Sequence, residues 1–170
     1  IILPVAWFDH RAKQSAPSPQ EATSARPWSN SLGMKFVPVP GTKTLFSIWE
    51  TRRRDYATFA ASNPGNDVER AWEKPESDVT PDHPVSLVNW LRAEQFCAWL
   101  TKMEHERGTL PQSMRYRLPT DIEWSTAAGL PAESGATPEA RNRGLGPMEH
   151  APYPWGRSWP PPSEGMEANF

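Results

Sequence analysis

The single cysteine, Cys97, is the residue of this chain with the widest chemical repertoire. A thiolate can act as a nucleophile, a redox centre or a soft metal ligand. Cys97 lies in AEQFCAWL, on the apolar stripe of a predicted helix, where we expect a buried, unreactive side chain. A reactive thiol is the alternative. With one cysteine the chain can form neither an internal disulfide nor, alone, a cysteine-based zinc site.

Carboxylate and imidazole groups offer a second route to metal chemistry. Glu76, Asp78 and Asp82 shortly precede His83 and could suggest a metal site. A polar turn ahead of a short strand is the interpretation that we prefer, because the surrounding residues are rich in turn formers. None of the four histidines stands at metal-ligand spacing to another: His10, His83, His105 and His150.

Composition limits the partners and the architecture of the chain. The formal net charge of the 170 residues is −2, so no overall field favours nucleic acid or an anionic membrane. Nine tryptophans predict an aromatic core, and twenty prolines argue against long helices or sheets. The densest basic run, residues 52–54, is interpreted as a solvated helix face, with a partner site as the alternative.

The N-terminal residues are predicted to lie outside the folded domain. IILPVAWF is apolar but has eight residues, far short of the roughly twenty that span a membrane. Residues 11–27 are rich in Ala, Ser, Pro and Gln without periodicity, which is typical of a linker. We therefore expect an apolar stub and linker over residues 1–27 and one domain over residues 28–170.

Short strands and a helix are predicted in the first half of this domain. MKFVPVPG, over residues 34–41, reads as an edge strand and turn, and residues 45–50 as a second strand. Thr51 is predicted to cap a helix that stops before Asn63. Residues 84–88 form a third short strand in this interpretation.

The longest predicted helix covers residues 90–106. Asn89 is its expected N-cap, and Gly108 its expected C-terminal stop. Its core-facing stripe is predicted from apolar residues that repeat at helical spacing: Trp90, Ala93, Cys97 and Leu100.

A third helix is predicted within YRLPTDIEWSTAA, residues 116–128. Pro119 favours an extended Leu118, after which Thr120 and Glu123 have the spacing of a capping box. Gly129 is the expected end of the helix. Its apolar face is predicted to comprise Trp124, Ala127 and Ala128.

Five segments occur in an order that is typical of one family. They are NSLGMKFVPVPG, SIWETRRRDYATF, HPVSLVNWLRAEQFCAWL, YRLPTDIEWSTAA and YPWG. Together they resemble the formylglycine-generating enzymes, also called sulfatase-modifying factors, over about residues 30–170. The most specific part is Arg-Leu-Pro-Thr-x-x-Glu-Trp followed by Tyr-Pro-Trp-Gly.

The resemblance implies an α/β (α+β) fold of the C-type-lectin-like, sulfatase-modifying-factor type, loop-rich with short helices and strands. It also implies a scaffold role for Arg117, Glu123 and Trp124, which would brace loops, with a substrate contact as the alternative. A later cluster of Pro152, Tyr153, Pro154, Trp155 and Trp159 is interpreted as core packing, or else as a platform for a peptide or glycan.

The resemblance also implies cofactors. Family enzymes oxidise a cysteine of a target sulfatase with O₂, using copper(I) bound by two cysteine thiolates in their C-terminal half. This chain has neither that pair nor the Gly-Asn-Val/Ala-Trp-Glu-Trp segment before it, and Cys97 matches neither position. We therefore expect no catalytic and no cofactor-binding residue here, and a domain truncated on its C-terminal side.

A structural Ca²⁺ site is the one family site whose motif reaches this chain. In the segment EANF, the side chain of Asn169 and the carbonyl of Phe170 match two of its oxygen ligands. Calcium takes six to eight oxygens, so the others would lie downstream. An ordinary loop role for Asn169 is the alternative.

Two functions remain open at this point. The chain could be the N-terminal portion of a formylglycine-generating oxidase that acts on a sulfatase protein or peptide. It could instead belong to a non-catalytic, lectin-like binding or regulatory module, fused to a kinase or a membrane anchor. A sulfoxide synthase is a third idea, but nothing upstream resembles the His-rich helical domain of those proteins. An extracytoplasmic or membrane-anchored location is slightly favoured.

Overall fold

The chain combines short helices and a small antiparallel sheet with long connecting loops. The computed structural model describes residues 17–63, 71–73, 79–129, 135–137 and 139–141. Short 3₁₀ helices occur at Pro19–Glu21 and Ala71–Glu73. The other elements are β1 (Trp28–Ser29), β2 (Lys35–Pro38), β3 (Leu45–Ser47), α1 (Arg53–Ser62), α2 (Trp90–Glu106) and α3 (Asp121–Ala127). The mixed α/β, loop-rich prediction is confirmed at this level.

The three strands form one sheet in the order β1-β2-β3. Trp28 of β1 pairs with Phe36 of β2, and Val37 of β2 pairs with Phe46 of β3. The prediction of an edge strand was wrong, because β2 is the central strand. Pro38 fits there since it is the last residue of β2, where its missing N–H interrupts no interior pairing.

Residues 84–88 do not form the predicted strand. Pro84 makes a single bridge with Arg52, and the ladder goes no further. Leu87 has φ of 58°, in the left-handed region that side chains other than glycine rarely adopt. An extended ladder cannot continue through that conformation, so the segment turns directly into the start of α2.

Helix α1 begins one residue later than predicted. Arg52, not Thr51, is the N-cap, with extended φ and ψ of −82° and 157°. The Asp55 carboxylate accepts from the Arg52 N–H at 3.3 Å. The predicted end before Asn63 is confirmed.

Helix α2 has the predicted bounds. The Asn89 side chain accepts from the Arg92 N–H at 3.0 Å and caps the first turn. Gly108 follows the C-cap residue with φ of +67°, the left-handed conformation that ends many helices.

The buried stripe of α2 differs from the predicted one. Phe96, Leu100 and Glu104 are the buried residues, at four-residue spacing. Cys97 is half-buried, because it lies about 100° around the helix from Phe96. Trp90 is 67% exposed. The predictions of a buried Cys97 and an inward-facing Trp90 were therefore wrong.

Aromatic rings dominate the described core, as the composition predicted. One cluster joins α1 to α2, where Tyr56 and Phe59 contact Phe96 at centroid distances of 6.0 and 5.8 Å. A second cluster joins the sheet to the segment after α2, where Tyr116 stacks on Trp28 at 6.2 Å. Each such pair contributes on the order of 0.5–1.5 kcal/mol beyond the area it buries.

Part of the predicted linker has local structure. Within residues 17–27, the Glu21 carboxylate accepts from the Ser18 N–H at 2.9 Å and closes a 3₁₀ turn in which Pro19 is buried. The apolar segment at residues 1–8 lies outside the described residues. Among the residues that are described, no helix is both long and apolar enough to cross a membrane.

Candidate functional site

The segment YRLPTDIEW forms a network of charged hydrogen bonds around Glu123. The guanidinium of Arg117 donates to both carboxylate oxygens of Glu123, at 2.6 and 2.7 Å. The same carboxylate accepts from the Thr120 N–H at 2.9 Å, while the Thr120 hydroxyl accepts from the Glu123 N–H at 3.3 Å. The predicted capping box is therefore confirmed, and Arg117 closes it from outside the helix.

This network also fastens α3 to the sheet. The hydroxyl of Thr44, just before β3, donates to Glu123 at 3.2 Å. The bidentate Arg117, followed by the Thr120 N–H, lowers the pKa of Glu123 to about 2. A carboxylate with this many donors stays ionised and holds loop, helix and hairpin together. These contacts support the bracing role expected for Arg117 and Glu123.

Trp124 does not share that role. Its side chain is 62% exposed, and Ser125 is the buried residue of α3. Ala127 and Ala128 are also exposed, so the predicted apolar face of this helix was wrong. The apolar pattern of this helix therefore did not predict its buried side. Gly129, with φ of +74°, ends the helix as expected.

Removing the Thr120 hydroxyl is expected to destabilise the chain. Thr120→Ala leaves the Glu123 N–H without its cap and should lower the free energy of unfolding by about 1 kcal/mol. Urea denaturation measures the effect. Thr120→Ser keeps the hydroxyl and should resemble wild type. An unchanged midpoint for Thr120→Ala would mean that the cap contributes nothing to stability.

The Glu123 network is expected to weaken in acid. Because folding lowers the pKa of Glu123 from 4.5 to about 2, its stabilising effect is complete above the higher value and is lost as the pH falls through the lower one. The stability difference between wild type and Glu123→Gln should therefore shrink between about pH 5 and about pH 2. Denaturation of both proteins across this range measures it. A difference that stays constant would show that Glu123 is not the titrating group.

Arg52 forms the centre of a second charged cluster. Its guanidinium donates to both oxygens of Asp55 at 2.8 and 3.0 Å, and its side chain is 7% exposed. The ring of Trp49 lies 4.5 Å from the guanidinium carbon, within cation–π range. The interpretation of residues 52–54 as a solvated face was thus wrong for Arg52. A signal was available in the sequence, because Arg52 and Asp55 have the i, i+3 spacing of a helical ion pair.

The cluster clamps the His-Pro-Val segment against the start of α1. Arg54 pairs with Asp82 at 2.9 Å, and the Arg53 N–H donates to the His83 carbonyl at 2.9 Å. The imidazole of His83 accepts from the Thr80 N–H at 2.9 Å. The turn predicted before residue 84 is confirmed for its described part, residues 80–83. Glu76 and Asp78 lie outside the described residues.

Large apolar side chains remain exposed around the starts of α2 and α3. Three of them lie within five residues, where the chain enters α2. The exposed fractions run from 54% to 67% in Leu87, Trp90, Leu91, Ile122 and Trp124. Three of the five are close in sequence, so this set, called here the exposed apolar group, is a candidate for contacts with further protein.

Comparison with known families decides the identity of the domain. The family model described as "Sulfatase-modifying factor enzyme 1-like domain" matches residues 23–170. The chain belongs to the sulfatase-modifying factor family. The match confirms the resemblance carried by the five segments. Comparisons with curated proteins and with solved structures return no match.

The residues of this sulfatase-modifying factor domain do not fit a copper(I) centre. The two-thiolate site that the resemblance implies needs a second cysteine, and Cys97 is the only one in the chain. Burial, reinforced by the charge of Glu94, raises the pKa of Cys97 to about 11. At neutral pH its sulfur is a protonated thiol, whereas metal binding and nucleophilic attack require the thiolate.

The other site residues expected from the sequence lie outside the described part of this sulfatase-modifying factor domain. This applies to the calcium ligands Asn169 and Phe170 and to the aromatic–proline cluster at residues 152–159. Within the described ranges, no group of three or more His, Cys, Asp or Glu side chains could hold a metal ion.

Proposed function

We propose that this chain is the N-terminal portion of a sulfatase-modifying factor domain with a C-type-lectin-like fold, and that it supplies scaffold and protein recognition rather than the oxidising centre. The observation that carries the proposal is the position of Cys97. A single thiol, half-buried on the side of α2 and held protonated, cannot replace a pair of thiolates. In this proposal, oxidation of a sulfatase cysteine requires residues that a longer protein supplies.

The exposed apolar group supports the part of the proposal in which a longer protein completes this domain. At roughly 25 cal/mol per Å², leaving about 400 Å² of apolar surface uncovered forfeits about 10 kcal/mol, which is comparable to the whole stability of a domain. Four of these side chains lie on α2 and α3, and Leu87 lies just before α2. In this proposal, the rest of a sulfatase-modifying factor domain covers the exposed faces of these two helices. We infer that further protein packs there.

A non-catalytic binding or regulatory module is the second candidate. The hydrogen-bond network around Glu123 and the charged cluster around Arg52 fit this candidate as well as they fit the first. Neither carries a group suited to redox chemistry. The downstream gene sequence separates the two candidates. Two cysteines a few residues apart near the C-terminus of the full protein favour the oxidase, and their absence favours the module.

Calcium binding and location remain parts of the proposal. The Asn169 side-chain oxygen and the Phe170 carbonyl would provide two ligands of a structural Ca²⁺ whose remaining oxygens come from further chain. The partner proposed for the oxidase is a cysteine-containing sulfatase segment. An extracytoplasmic or membrane-anchored protein fits either candidate.

The chain alone is expected to have no oxidase activity. Residues 1–170 are incubated with Cu(I), O₂ and a peptide carrying a sulfatase cysteine motif, and mass spectrometry follows conversion of the cysteine to an aldehyde. We expect no product above the copper-only control, for both the wild type and Cys97→Ser. Product that depends on Cys97 would overturn the proposal.

The same sample tests the structural part of the proposal. If the exposed apolar group is normally covered by further protein, the thermal unfolding transition of this chain should be broad, or its melting temperature should be low. A sharp cooperative transition well above about 50 °C, as in a complete domain, would contradict it.

A further inference from the structure

The last described residues of the chain are fastened to the start of α3. The Arg141 guanidinium contacts the Oδ2 atom of Asp121, through Nε at 2.8 Å and through Nη2 at 2.6 Å. Its Nη1 group donates to the Gly135 carbonyl at 3.1 Å. The Arg141 side chain is 11% exposed, so this ion pair is partly shielded from water. Residue 142 and those that follow therefore leave the described part of the chain within one arginine side chain of the first turn of α3.

An exposed tryptophan lies on the same side of this helix. Asp121 and Trp124 are three residues apart in α3, and side chains at that spacing are neighbours on a helix surface. The Trp124 side chain is 62% exposed. The helix thus presents a large uncovered apolar ring beside the carboxylate that holds Arg141.

The residues that follow have a composition suited to covering that ring. The family match continues to residue 170, so this segment belongs to the same domain. It contains the aromatic–proline cluster at residues 152–159, which runs directly into three prolines at residues 160–162. Proline-rich segments dock on exposed aromatic rings, because an extended proline-rich backbone is already ordered and loses little entropy on binding.

The length of the intervening chain allows this contact. Residues 142–151 separate Arg141 from the aromatic–proline cluster, and a chain of that length spans up to about 33 Å when fully extended. Asp121 and Trp124 lie less than one helical turn apart, roughly 5–6 Å between their Cβ atoms. The cluster can therefore reach Trp124 from the anchored end of the described chain without strain.

We propose that residues 152–162 of this same chain dock on α3 and cover Trp124, with the Arg141–Asp121 ion pair fixing where the segment starts. The inference rests on the proposed function, in which the exposed apolar group is covered, and it assigns the cover of Trp124 to the chain itself. Leu87, Trp90 and Leu91, at the entrance to α2, stay open in this chain and remain the surface for further protein.

Hydroxyl-radical footprinting of the full chain, residues 1–170, compares two tryptophans of similar exposure. Trp124 is 62% exposed and Trp90 is 67% exposed. We expect Trp124 to be oxidised several-fold more slowly than Trp90, at a rate closer to that of Trp72, which is 7% exposed. Equal rates for Trp124 and Trp90 would overturn the docking. Protection of Trp90 in this chain would instead contradict the proposed function, so the two failures are distinguishable.

Photochemical cross-linking identifies the occupant. A photoreactive phenylalanine derivative is placed at position 124 of the full chain, and mass spectrometry locates the cross-linked peptide. We expect cross-links within one molecule to residues 152–162. Cross-links to a second copy of the chain, or to another part of the same chain, would overturn the proposal.

Loss of the anchor provides an independent readout. Arg141→Ala removes the ion pair without changing α3, so oxidation of Trp124 should accelerate toward the rate of Trp90. Arg54→Ala is the matched control, because it removes another arginine that pairs with an exposed carboxylate, Asp82, at 2.9 Å. This control should leave the Trp124 rate unchanged. An equal effect of the two variants on Trp124 would contradict the anchoring role of Arg141.

Discussion

Replacing Asp55 with alanine is expected to lower the free energy of unfolding by about 3–5 kcal/mol. The Asp55 side chain is 1% exposed and accepts two bonds from the Arg52 guanidinium, which is itself buried. Removing the carboxylate leaves a buried cation without its main partner. Asp82 is a poor substitute, because its nearest oxygen lies 3.6 Å from Arg52 and its side chain is 61% exposed.

Urea denaturation with matched variants separates this effect from a general loss of charge. Asp82→Ala removes an exposed partner of the same arginine and should change the stability by about 1 kcal/mol or less. The double variant Arg52→Met with Asp55→Leu removes both charges and should recover much of the loss, as apolar replacements of buried pairs often do. A loss for Asp55→Ala no larger than that for Asp82→Ala would contradict the buried-pair interpretation.

The Phe96→Ala variant is expected to lose about 3–5 kcal/mol of stability. Phe96 is 5% exposed, and its ring contacts Tyr56 and Phe59 of α1 and Trp99 of α2. The truncation leaves a cavity where the two helices meet, and their rings can collapse into it only partly. Equilibrium unfolding monitored by tryptophan fluorescence measures the loss.

Leu91→Ala provides the control for that prediction. Leu91 lies on the same helix and is 58% exposed, so its truncation should change the stability by no more than about 0.5 kcal/mol. Equal losses for the two variants would mean that the junction of α1 and α2 is not the main core of the chain.

The sequence alone determined the local structure where one short segment contains all the interacting groups. Asn89 and Thr120 cap helices at the predicted residues, and Gly108 and Gly129 end them in left-handed conformations. Each of these features depends on hydrogen bonds or backbone angles within about one helical turn, so neighbouring residues suffice to specify it. The five sequence segments and their order along the chain were also sufficient to identify the sulfatase-modifying factor family.

Only the tertiary structure decided which faces are buried. Apolar spacing predicted an inward Trp90, a buried Cys97 and an inward Trp124, yet burial follows the stripe of Phe96, Leu100 and Glu104 on α2. Glu104 is fully buried because the Ser31 N–H at 3.0 Å and the Thr109 hydroxyl at 2.5 Å satisfy its carboxylate. Ser31 is 73 positions away in the chain, so no local sequence pattern predicts that contact.

The same reason applies to the basic run and to the sheet. Arg52 is buried because Asp55, Trp49 and the distant Asp82 surround it, whereas charge composition alone predicts a solvated side chain. Strand β2 is central because β1 and β3 pair with its two edges. The sequence of a strand does not by itself predict how many neighbouring strands it will have. Burial and pairing depend on which segments meet in the folded chain, and those contacts exist only after folding.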